Sequence, residues 1–203
     1  MVKIVFFDFS RTVAKGTGFG AGPIFIGRKK QYEVLYEKYK SKKINENDIV
    51  RDVVKLWKGI KAKGLRKIYS RIKLNPNVRQ ALRKLKKQNL KLALVSNIPT
   101  KLAGMYKNLC FDFISGTECE IKNKTFTGKV LKINANKFQA VKEICRDAKI
   151  KPNERIAVGD AIGDIGMFKA VGYENSIAYN ANDEVKKYAK YHINNFNEIA
   201  KIV

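Results

Sequence analysis

The sequence predicts an α/β protein built on a doubly wound parallel sheet, with an inserted all-helical segment and a small β-hairpin. Three runs dominated by apolar residues, at 2–7, 90–95 and 155–159, lack the alternation of half-exposed strands. Such runs are typical of strands that are buried on both faces of a parallel sheet. Amphipathic helical patterns separate the runs, and strands that alternate with helices form parallel sheets through crossover connections.

The N-terminal part of the chain combines one strand with a long helical stretch. The first strand ends at Asp8, and a glycine-rich segment follows at 16–22. This segment resembles a dinucleotide-binding loop, but it lacks the GxGxxG register and is interpreted as a flexible hinge. Residues 28–73 show only helical periodicity. Asn75 is then predicted to cap the next helix, in which Pro76 takes the first position.

The position of the helical stretch predicts the domain organisation. A core domain is expected at 1–14 and 75–203, and a helical cap insertion at 15–74. The remaining predicted elements are a strand at 90–97, a helix at 99–107, a short strand at 111–115, a hairpin at 120–130 with its turn at Asn123-Lys124, a helix at 135–148, and strands at 155–160 and 176–179.

The composition bounds the class of protein and its partners. A net charge of +24 is compatible with a polyanionic partner, but Lys and Arg are spread along the whole chain, which favours a solvated lysine-rich surface. No apolar run is long enough for a membrane helix. Cys110, Cys119 and Cys145 form no CxxC pair and lie in apolar stretches, so buried, reduced thiols are expected. We therefore expect a cytoplasmic protein.

Polar residues follow three of the predicted strands at the points where the strands end. They are Asp8, the pair Ser96 and Asn97, and Asp160, with Asp164 four residues further on. Because parallel strands place their carboxyl ends at one edge of the sheet, these side chains are expected to converge. An oxygen-only set of this kind suits Mg²⁺, and the single histidine with no cysteine–histidine cluster disfavours zinc.

The same edge offers groups that bind an anion. The Ser96 hydroxyl and the Asn97 amide precede the start of a helix, a combination that favours phosphate. Lys137, at the start of its predicted helix, can supply a cation. Each of these residues also has a purely structural interpretation, for example a turn for Asp8 or a favourable position at a helix N-terminus for Asp164.

Taken in order, these residues resemble the four motifs of the haloacid dehalogenase-like hydrolases, and in particular the phosphoserine phosphatase-like branch, which carries a helical cap. The motifs are Asp8-x-x-x-Thr12, then Ser96-Asn97, then Lys137, then Gly159-Asp160-x-x-x-Asp164. The resemblance implies a Rossmann-like core and covers nearly all of the chain, although it covers the cap only by position and helicity.

The resemblance also implies a role for each site residue. Asp8 attacks phosphorus and forms an aspartyl-phosphate. Mg²⁺ is held by Asp8, the Ser10 backbone carbonyl and Asp160, with support from Asp164. Ser96 and Lys137 bind phosphoryl oxygens, and Asn97 and Thr12 complete the expected substrate-binding set.

The sequence departs from the family pattern at three positions. Ser10 stands where phosphatases of the family carry a second Asp, which acts as acid and base, so hydrolysis is expected to be slow. Thr17 stands where phosphoserine phosphatases carry the Glu that recognises the amino group, which argues against phosphoserine as the substrate. Gly163 replaces an Asn before the final Asp.

Two hypotheses remain open at this point. The first is a Mg²⁺-dependent phosphatase or phosphotransferase that acts on a small phosphorylated metabolite. The second is a retired enzyme that binds phosphate and Mg²⁺, or nucleic acid, through the old site and the basic surface. Ser10 discriminates between them, because restoring an Asp there raises turnover only if the rest of the site is intact.

Overall fold

The computed structural model describes residues 1–133 and 136–203. Its strands are β1 Ile4–Phe7, β2 Lys91–Pro99, β3 Phe113–Lys122, β4 Thr125–Lys132, β5 Arg155–Gly159, β6 Ser176–Tyr179 and β7 Tyr191–Ile193. They form one seven-stranded sheet in the order β4-β3-β2-β1-β5-β6-β7. Every neighbouring pair is parallel except β3 and β4, which are antiparallel. The predicted α/β class with a parallel sheet is confirmed.

Helices connect the strands and cover the sheet. They are α1 Gly18–Phe25, α2 Lys29–Lys40, α3 Glu46–Lys55, α4 Ala62–Tyr69, α5 Val78–Lys87, α6 Thr100–Ala103, α7 Lys137–Asp147, α8 Ile165–Val171, α9 Asp183–Lys186 and α10 Ile199–Ile202. Helices α1 to α4 follow one another between β1 and α5, so the long helical stretch lies where its periodicity predicts it.

Strand β1 lies at the centre of the sheet and contributes to two hydrophobic cores. Val5 and Phe7 belong to the core that includes Leu82 of α5, whereas Ile4 and Phe6 belong to the core on the opposite face. All four strand residues are completely buried. The absence of alternation in this run therefore reflects a strand that is covered on both faces.

The glycine-rich segment forms helix α1, so the prediction of a flexible hinge was wrong. Thr17 caps the helix, since its hydroxyl accepts a hydrogen bond from the backbone N–H of Gly20 at 3.0 Å. A methyl group on Gly20 would lie 2.5 Å from the ring of Tyr32, and one on Gly22 would lie 2.5 Å from the indole nitrogen of Trp57. These glycines permit close packing between helices, which sequence alone does not distinguish from flexibility.

Asn75 does not cap α5, which begins at Val78, so this prediction was also wrong. Its side-chain amide donates instead to the backbone carbonyls of Arg11 and Thr12, both at 2.7 Å. A residue at the far end of the inserted helices thus holds the loop that follows β1.

The two connections between the inserted helices and the sheet lie side by side. The backbone N–H of Lys15 donates to the carbonyl of Lys73 at 2.7 Å, and that of Asn75 donates to the carbonyl of Val13 at 3.0 Å. The chain therefore leaves the core and returns to it at one place, as two short antiparallel segments.

Several predicted boundaries differ from the observed ones. The short strand at 111–115 and the first arm of the hairpin are one continuous strand, β3, while the turn at Asn123-Lys124 is confirmed by two positive φ angles of 47° and 62°. The helix predicted at 135–148 is observed as α7, and Ala135 lies outside the described residues. The three-residue strand β7 was not predicted, because so short a run carries no periodic signal.

The composition predicted that the chain has no membrane helix and that its thiols are buried and reduced. Across the described ranges, no helix combines the length and the apolar character needed to cross a membrane. The three cysteines are free, with Cys145 buried, Cys119 half-buried and Cys110 exposed, so the expectation of a buried thiol was wrong for Cys110.

Candidate active site

Asp8 lies at the carboxyl end of the central strand. Its backbone N–H donates to the carbonyl of Val158 at 3.0 Å, which extends the pairing of β1 and β5 by one residue. The residue is only 5% exposed. The pairing fixes the backbone from which the carboxylate projects, so its position is set by the sheet itself.

Lys137, the first residue of α7, joins two carboxylates. Its ammonium group lies 2.5 Å from Asp8 Oδ1 and 2.6 Å from Asp164 Oδ1, and all three side chains are buried. Asn136 caps the helix through a hydrogen bond from the backbone N–H of Gln139 at 3.2 Å. The cap fixes where α7 begins, and therefore where the lysine enters the site.

The loop after β5 presents the other carboxylates. Asp164 Oδ2 accepts hydrogen bonds from the backbone N–H groups of Asp160 at 2.8 Å and Ala161 at 3.0 Å. A methyl group on Gly159 would lie 2.5 Å from the Asp164 Cβ, so a glycine is required there. The Asp160 carboxylate itself accepts from the Thr12 hydroxyl at 3.1 Å.

The carboxylates of Asp8, Asp160 and Asp164 could together hold a metal ion. One ligand oxygen from each of Asp8, Asp160 and Asp164 lies within 4.8 Å of the other two. The set contains oxygen ligands only, which suits a hard divalent cation. The predicted convergence of Asp8, Asp160 and Asp164 is therefore observed.

The electrostatic balance of the cluster favours an added cation. Burial raises the pKa of Asp8 to about 8, a shift that the Asp164 carboxylate increases and Lys137 opposes. Burial and the Asp164 carboxylate also raise the pKa of Asp160 to about 6, against the lowering effect of Arg11. Burial lowers the pKa of Lys137, but the two carboxylates more than offset this, so its pKa lies above the usual value. A divalent cation would lower the pKa of both aspartates.

Ser10 and Arg11 form a tight turn after Asp8. The Ser10 hydroxyl accepts a hydrogen bond from the backbone N–H of Gly18 at 3.0 Å, so it holds the start of α1. Arg11 adopts a left-handed backbone conformation with φ of 62°. Its guanidinium donates to Asp160 Oδ2 at 2.7 Å and to the Tyr36 hydroxyl of α2 at 3.3 Å. Arg11 thereby connects the carboxylate cluster to the inserted helices.

The predicted substrate-binding residues occupy different environments. Ser96 is buried, and its hydroxyl accepts from the backbone N–H of Ile98 at 3.3 Å. The Asn97 amide donates to Glu46 Oε1 at 2.9 Å. Thr12 is completely buried and donates to Asp160, so its observed contact positions a carboxylate, and a role in substrate binding stays a prediction.

Two site residues were missed in the sequence. Arg11 lies inside the first motif, where a charged residue next to Ser10 was an available signal. Glu46 belongs to α3 and reaches the site only through the packing of the inserted helices. No spacing in the sequence connects it with the strand ends.

A family model described as haloacid dehalogenase-like hydrolase matches residues 2–172. The chain belongs to this family, and within it the chain is similar to phosphoserine phosphatases. It is 30% identical over 191 residues to a phosphoserine phosphatase of Archaeoglobus fulgidus, a match that covers 92% of this chain and 55% of the relative. It is 31% identical over 143 residues to one of Idiomarina loihiensis, covering 68% of this chain and 64% of the relative. The chain thus spans between half and two thirds of the length of these two relatives.

Solved structures show the same fold. A phospho-aspartyl intermediate analogue of phosphoserine phosphatase has a TM-score of 0.87 at 24% identity, covering 100% of this chain and 99% of the other. A substrate-bound phosphoserine phosphatase complex has a TM-score of 0.88 at 23% identity, with coverage of 100% and 99%. The relatives named phosphoserine phosphatase give no support to the expectation, based on Thr17, that phosphoserine is not the substrate.

Proposed function

We propose that the chain is a Mg²⁺-dependent phosphatase or phosphotransferase that acts on a small phosphorylated metabolite through an aspartyl-phosphate on Asp8. The observation that carries the proposal is the position of Lys137, which contacts both Asp8 and Asp164 at the carboxyl edge of the sheet. Phosphoserine is included among the candidate substrates, because the similar proteins are phosphoserine phosphatases.

The proposed reaction begins at Asp8. One of its oxygens forms a bond to phosphorus while the bond from phosphorus to the ester oxygen breaks, and the departing alkoxide takes a proton from solvent. Lys137 favours the ionised form of Asp8 and would offset negative charge on the phosphoryl oxygens, which Ser96 would also contact. The oxygen of a water molecule then forms a bond to phosphorus while the bond from Asp8 to phosphorus breaks, which releases inorganic phosphate, passes a proton to solvent and regenerates the carboxylate.

The carboxylate cluster fits a bound Mg²⁺. We assign Asp8, the Ser10 backbone carbonyl, Asp160 and Asp164 as the residues that would hold or support it. The ion would supply positive charge against the repulsion between the nucleophile and the phosphate. Thr12 and Arg11 orient Asp160 through their hydrogen bonds to its two oxygens.

The division of the chain follows from the same proposal. We infer that residues 15–74 act as a cap over a core made of 1–14 and 75–203. Support comes from the paired connections at Lys15 and Lys73 and from the contacts that Tyr36 and Glu46 make with core residues.

Turnover of a panel of phosphate monoesters, including phosphoserine, p-nitrophenyl phosphate and acetyl phosphate, tests the proposal. We expect wild-type turnover that requires Mg²⁺ and is lost in Asp8→Asn. The matched control is Asp147→Asn, which removes an exposed carboxylate at the end of α7 and should retain full turnover. Full activity in Asp8→Asn, or no turnover of any ester in the wild type, would reject the proposal.

A second candidate function is the binding of a polyanion such as RNA, and one specific surface favours it. Residues 51–73 contain nine Lys or Arg residues and a single acidic residue, Asp52. A cleft of about 420 Å³ between α3 and the hairpin is lined by Arg51, Lys55, Lys58, Thr127, Gly128, Lys129 and Val130. Backbone hydrogen bonds from Gly59, which lies between α3 and α4, to Phe126 and from Ala62, the first residue of α4, to Lys124 connect this segment to the hairpin beside the cleft.

Binding of a fluorescent single-stranded RNA between 50 and 200 mM salt tests this second candidate. The double variant Lys58→Glu and Lys129→Glu should weaken binding and reduce the salt slope, by about 0.7 for each phosphate that is no longer neutralised. The matched control, Lys84→Glu with Lys87→Glu, makes the same charge change on exposed positions of α5. An equal weakening in both variants would show non-specific attraction and remove the candidate.

A further inference from the structure

Glu46 is a half-buried carboxylate that the proposed reaction does not use. It is the first residue of α3, but Asp48, not Glu46, completes the capping box with Asn45. The Glu46 side chain is therefore free to reach the core, where it accepts the hydrogen bond from the Asn97 amide at 2.9 Å. Burial raises its pKa, while Lys137 and Asn97 act in the opposite direction.

Gly163 explains how this carboxylate fits beside the carboxylate cluster. A methyl group on Gly163 would lie 3.0 Å from Glu46 Oε1, so a larger side chain there would press against the carboxylate. Gly163 directly precedes Asp164, which contacts Lys137. The departure from the family pattern at position 163 thus makes room for an acidic group from the inserted helices.

The Asn97 side chain presents a second acceptor. Its Oδ1 is sealed from solvent and has no hydrogen-bond partner among the described residues. The opposite orientation of the amide would place this oxygen against the Glu46 carboxylate, so the observed hydrogen bond supports the assignment. A buried acceptor without a donor is unfavourable, and a donor that arrives with a ligand would satisfy it.

The charges around Glu46 favour a cationic donor. Lys137 already forms its two ion pairs with Asp8 and Asp164, and Arg11 forms its ion pair with Asp160. Glu46 receives only the neutral Asn97 amide as a hydrogen-bond donor in the described part of the chain. A group that carries both positive charge and N–H donors would match one anionic acceptor and one unpartnered amide oxygen.

We propose that Glu46 and Asn97 form a subsite that recognises a primary ammonium group on the alcohol part of a phosphate monoester. This inference rests on the proposed function and adds the substrate class to it. Glu46 belongs to α3 and Asn97 to β2, so the subsite does not include Thr17. Thr17 stands at the position where phosphoserine phosphatases carry a Glu for the amino group, and it has no carboxylate.

The test compares O-phosphoethanolamine with propyl phosphate, which has the same length and a methyl group in place of the ammonium group. We expect the wild type to prefer phosphoethanolamine by about tenfold or more in kcat/KM. In Glu46→Gln this preference should fall to within about twofold, mainly through a higher KM for the amine, because Gln keeps the acceptor for Asn97 without the charge. The readout is the ratio of the two kcat/KM values within each protein, so a change that affects both esters alike does not count.

The matched control is Glu37→Gln, which removes an exposed carboxylate from α2 and should keep the full preference. Equal kcat/KM for the two esters in the wild type would overturn the subsite and leave the proposed phosphatase intact. This comparison needs no variant, so a folding defect in Glu46→Gln does not affect it.

Calorimetric binding of the same two esters to the wild type and to Asp8→Asn, with Mg²⁺ present, separates the subsite from catalysis. Tighter binding of phosphoethanolamine than of propyl phosphate, lost when Glu46→Gln is added, supports the subsite. This conclusion holds even if neither ester is turned over, and in that case only the proposed function fails. Binding of both esters with equal affinity overturns the subsite.

Discussion

At the scale of single residues, Ser10 determines how well the site can hydrolyse a phosphate ester. A hydroxyl cannot donate and accept a proton as a carboxylic acid does near neutral pH. The structure gives the Ser10 hydroxyl another task, since it holds the backbone N–H of Gly18 at the start of α1. A carboxylate at this position would also accept that hydrogen bond, so a substitution there is compatible with the local structure.

We expect Ser10→Asp to raise the rate of hydrolysis by about 10²-fold or more, because general acid–base catalysis contributes about 10²–10⁴-fold. Steady-state turnover of p-nitrophenyl phosphate and of the best metabolite measures the change. Ser10→Ala serves as the control and should remain as slow as the wild type. A rate in Ser10→Asp no higher than in Ser10→Ala would show that another part of the site limits the reaction.

The buried carboxylate of Asp8 makes the stability of the metal-free protein depend on pH. Its pKa is raised from 3.8 to about 8, so the folded state binds this proton more tightly than the unfolded state does. The stability that this protonation contributes is complete below about pH 4 and is lost as the pH rises through 8. An amide at position 8 removes the contribution of Asp8 to this dependence.

We therefore expect Asp8→Asn, in the presence of a chelator, to melt at the same temperature as the wild type only below about pH 4, where Asp8 is protonated in most folded and unfolded molecules. Near pH 8.5 it should melt clearly higher than the wild type, by about 2–4 °C for each kcal/mol gained in a chain of this size. Thermal unfolding at the two pH values measures the difference. A melting temperature that is lower than the wild type's at pH 8.5 would contradict a net destabilising effect of ionised Asp8, whose burial the Lys137 ion pair offsets only in part.

At the scale of elements, α1 depends on glycine for its contacts with α2 and with the turn that follows α3. Gly20 lies against the ring of Tyr32, and Gly22 lies against Trp57. We expect Gly20→Ala to lower the free energy of unfolding by about 1–3 kcal/mol, since the added methyl group overpacks this contact. Urea unfolding of the wild type and of Gly20→Ala measures this difference in the free energy of unfolding.

Gly104→Ala is the control for this prediction. Nothing lies within 4 Å of the methyl group that it adds, so it should be neutral or slightly stabilising. Equal effects of the two substitutions would mean that the packing against Tyr32 contributes little to stability.

The elements also show how far the sequence could predict the site. Asp8, Ser96 and Asp160 were placed correctly at one edge because the end of a buried strand is a local signal and parallel strands share an edge. Glu46 and Arg11 were missed because their contacts depend on how α3 packs and on a left-handed turn. Neither leaves a periodic pattern in the chain.

The misassigned elements have the same explanation. The glycine-rich segment was interpreted as a hinge and Asn75 as a helix cap, because both residue types are common in those roles. In the structure both act through partners that are distant in sequence: Trp57 lies against Gly22, and the carbonyl of Thr12 accepts from Asn75. Long-range contacts of this kind override local preference.

At the scale of the whole molecule, a divalent cation should bind the folded chain and stabilise it. We expect millimolar Mg²⁺ to raise the melting temperature of the wild type, since a ligand that binds only the folded state stabilises it by mass action. Asp160→Asn should lose most of this increase, whereas Asp147→Asn should keep it. An equal increase in all three proteins would indicate a general effect of salt on the +24 charge and not a specific site.

The paired connections at Lys15 and Lys73 have a consequence for how such a protein diversifies. Because the chain leaves the sheet and returns at adjacent positions, residues 16–72 form a single large loop in topological terms. The entropy of closing a loop grows slowly, by about 0.6 kcal/mol for each doubling of its length. Segments of very different length can therefore be exchanged at this junction while the sheet and its carboxylates stay in place, so new selectivity can arise without a new fold.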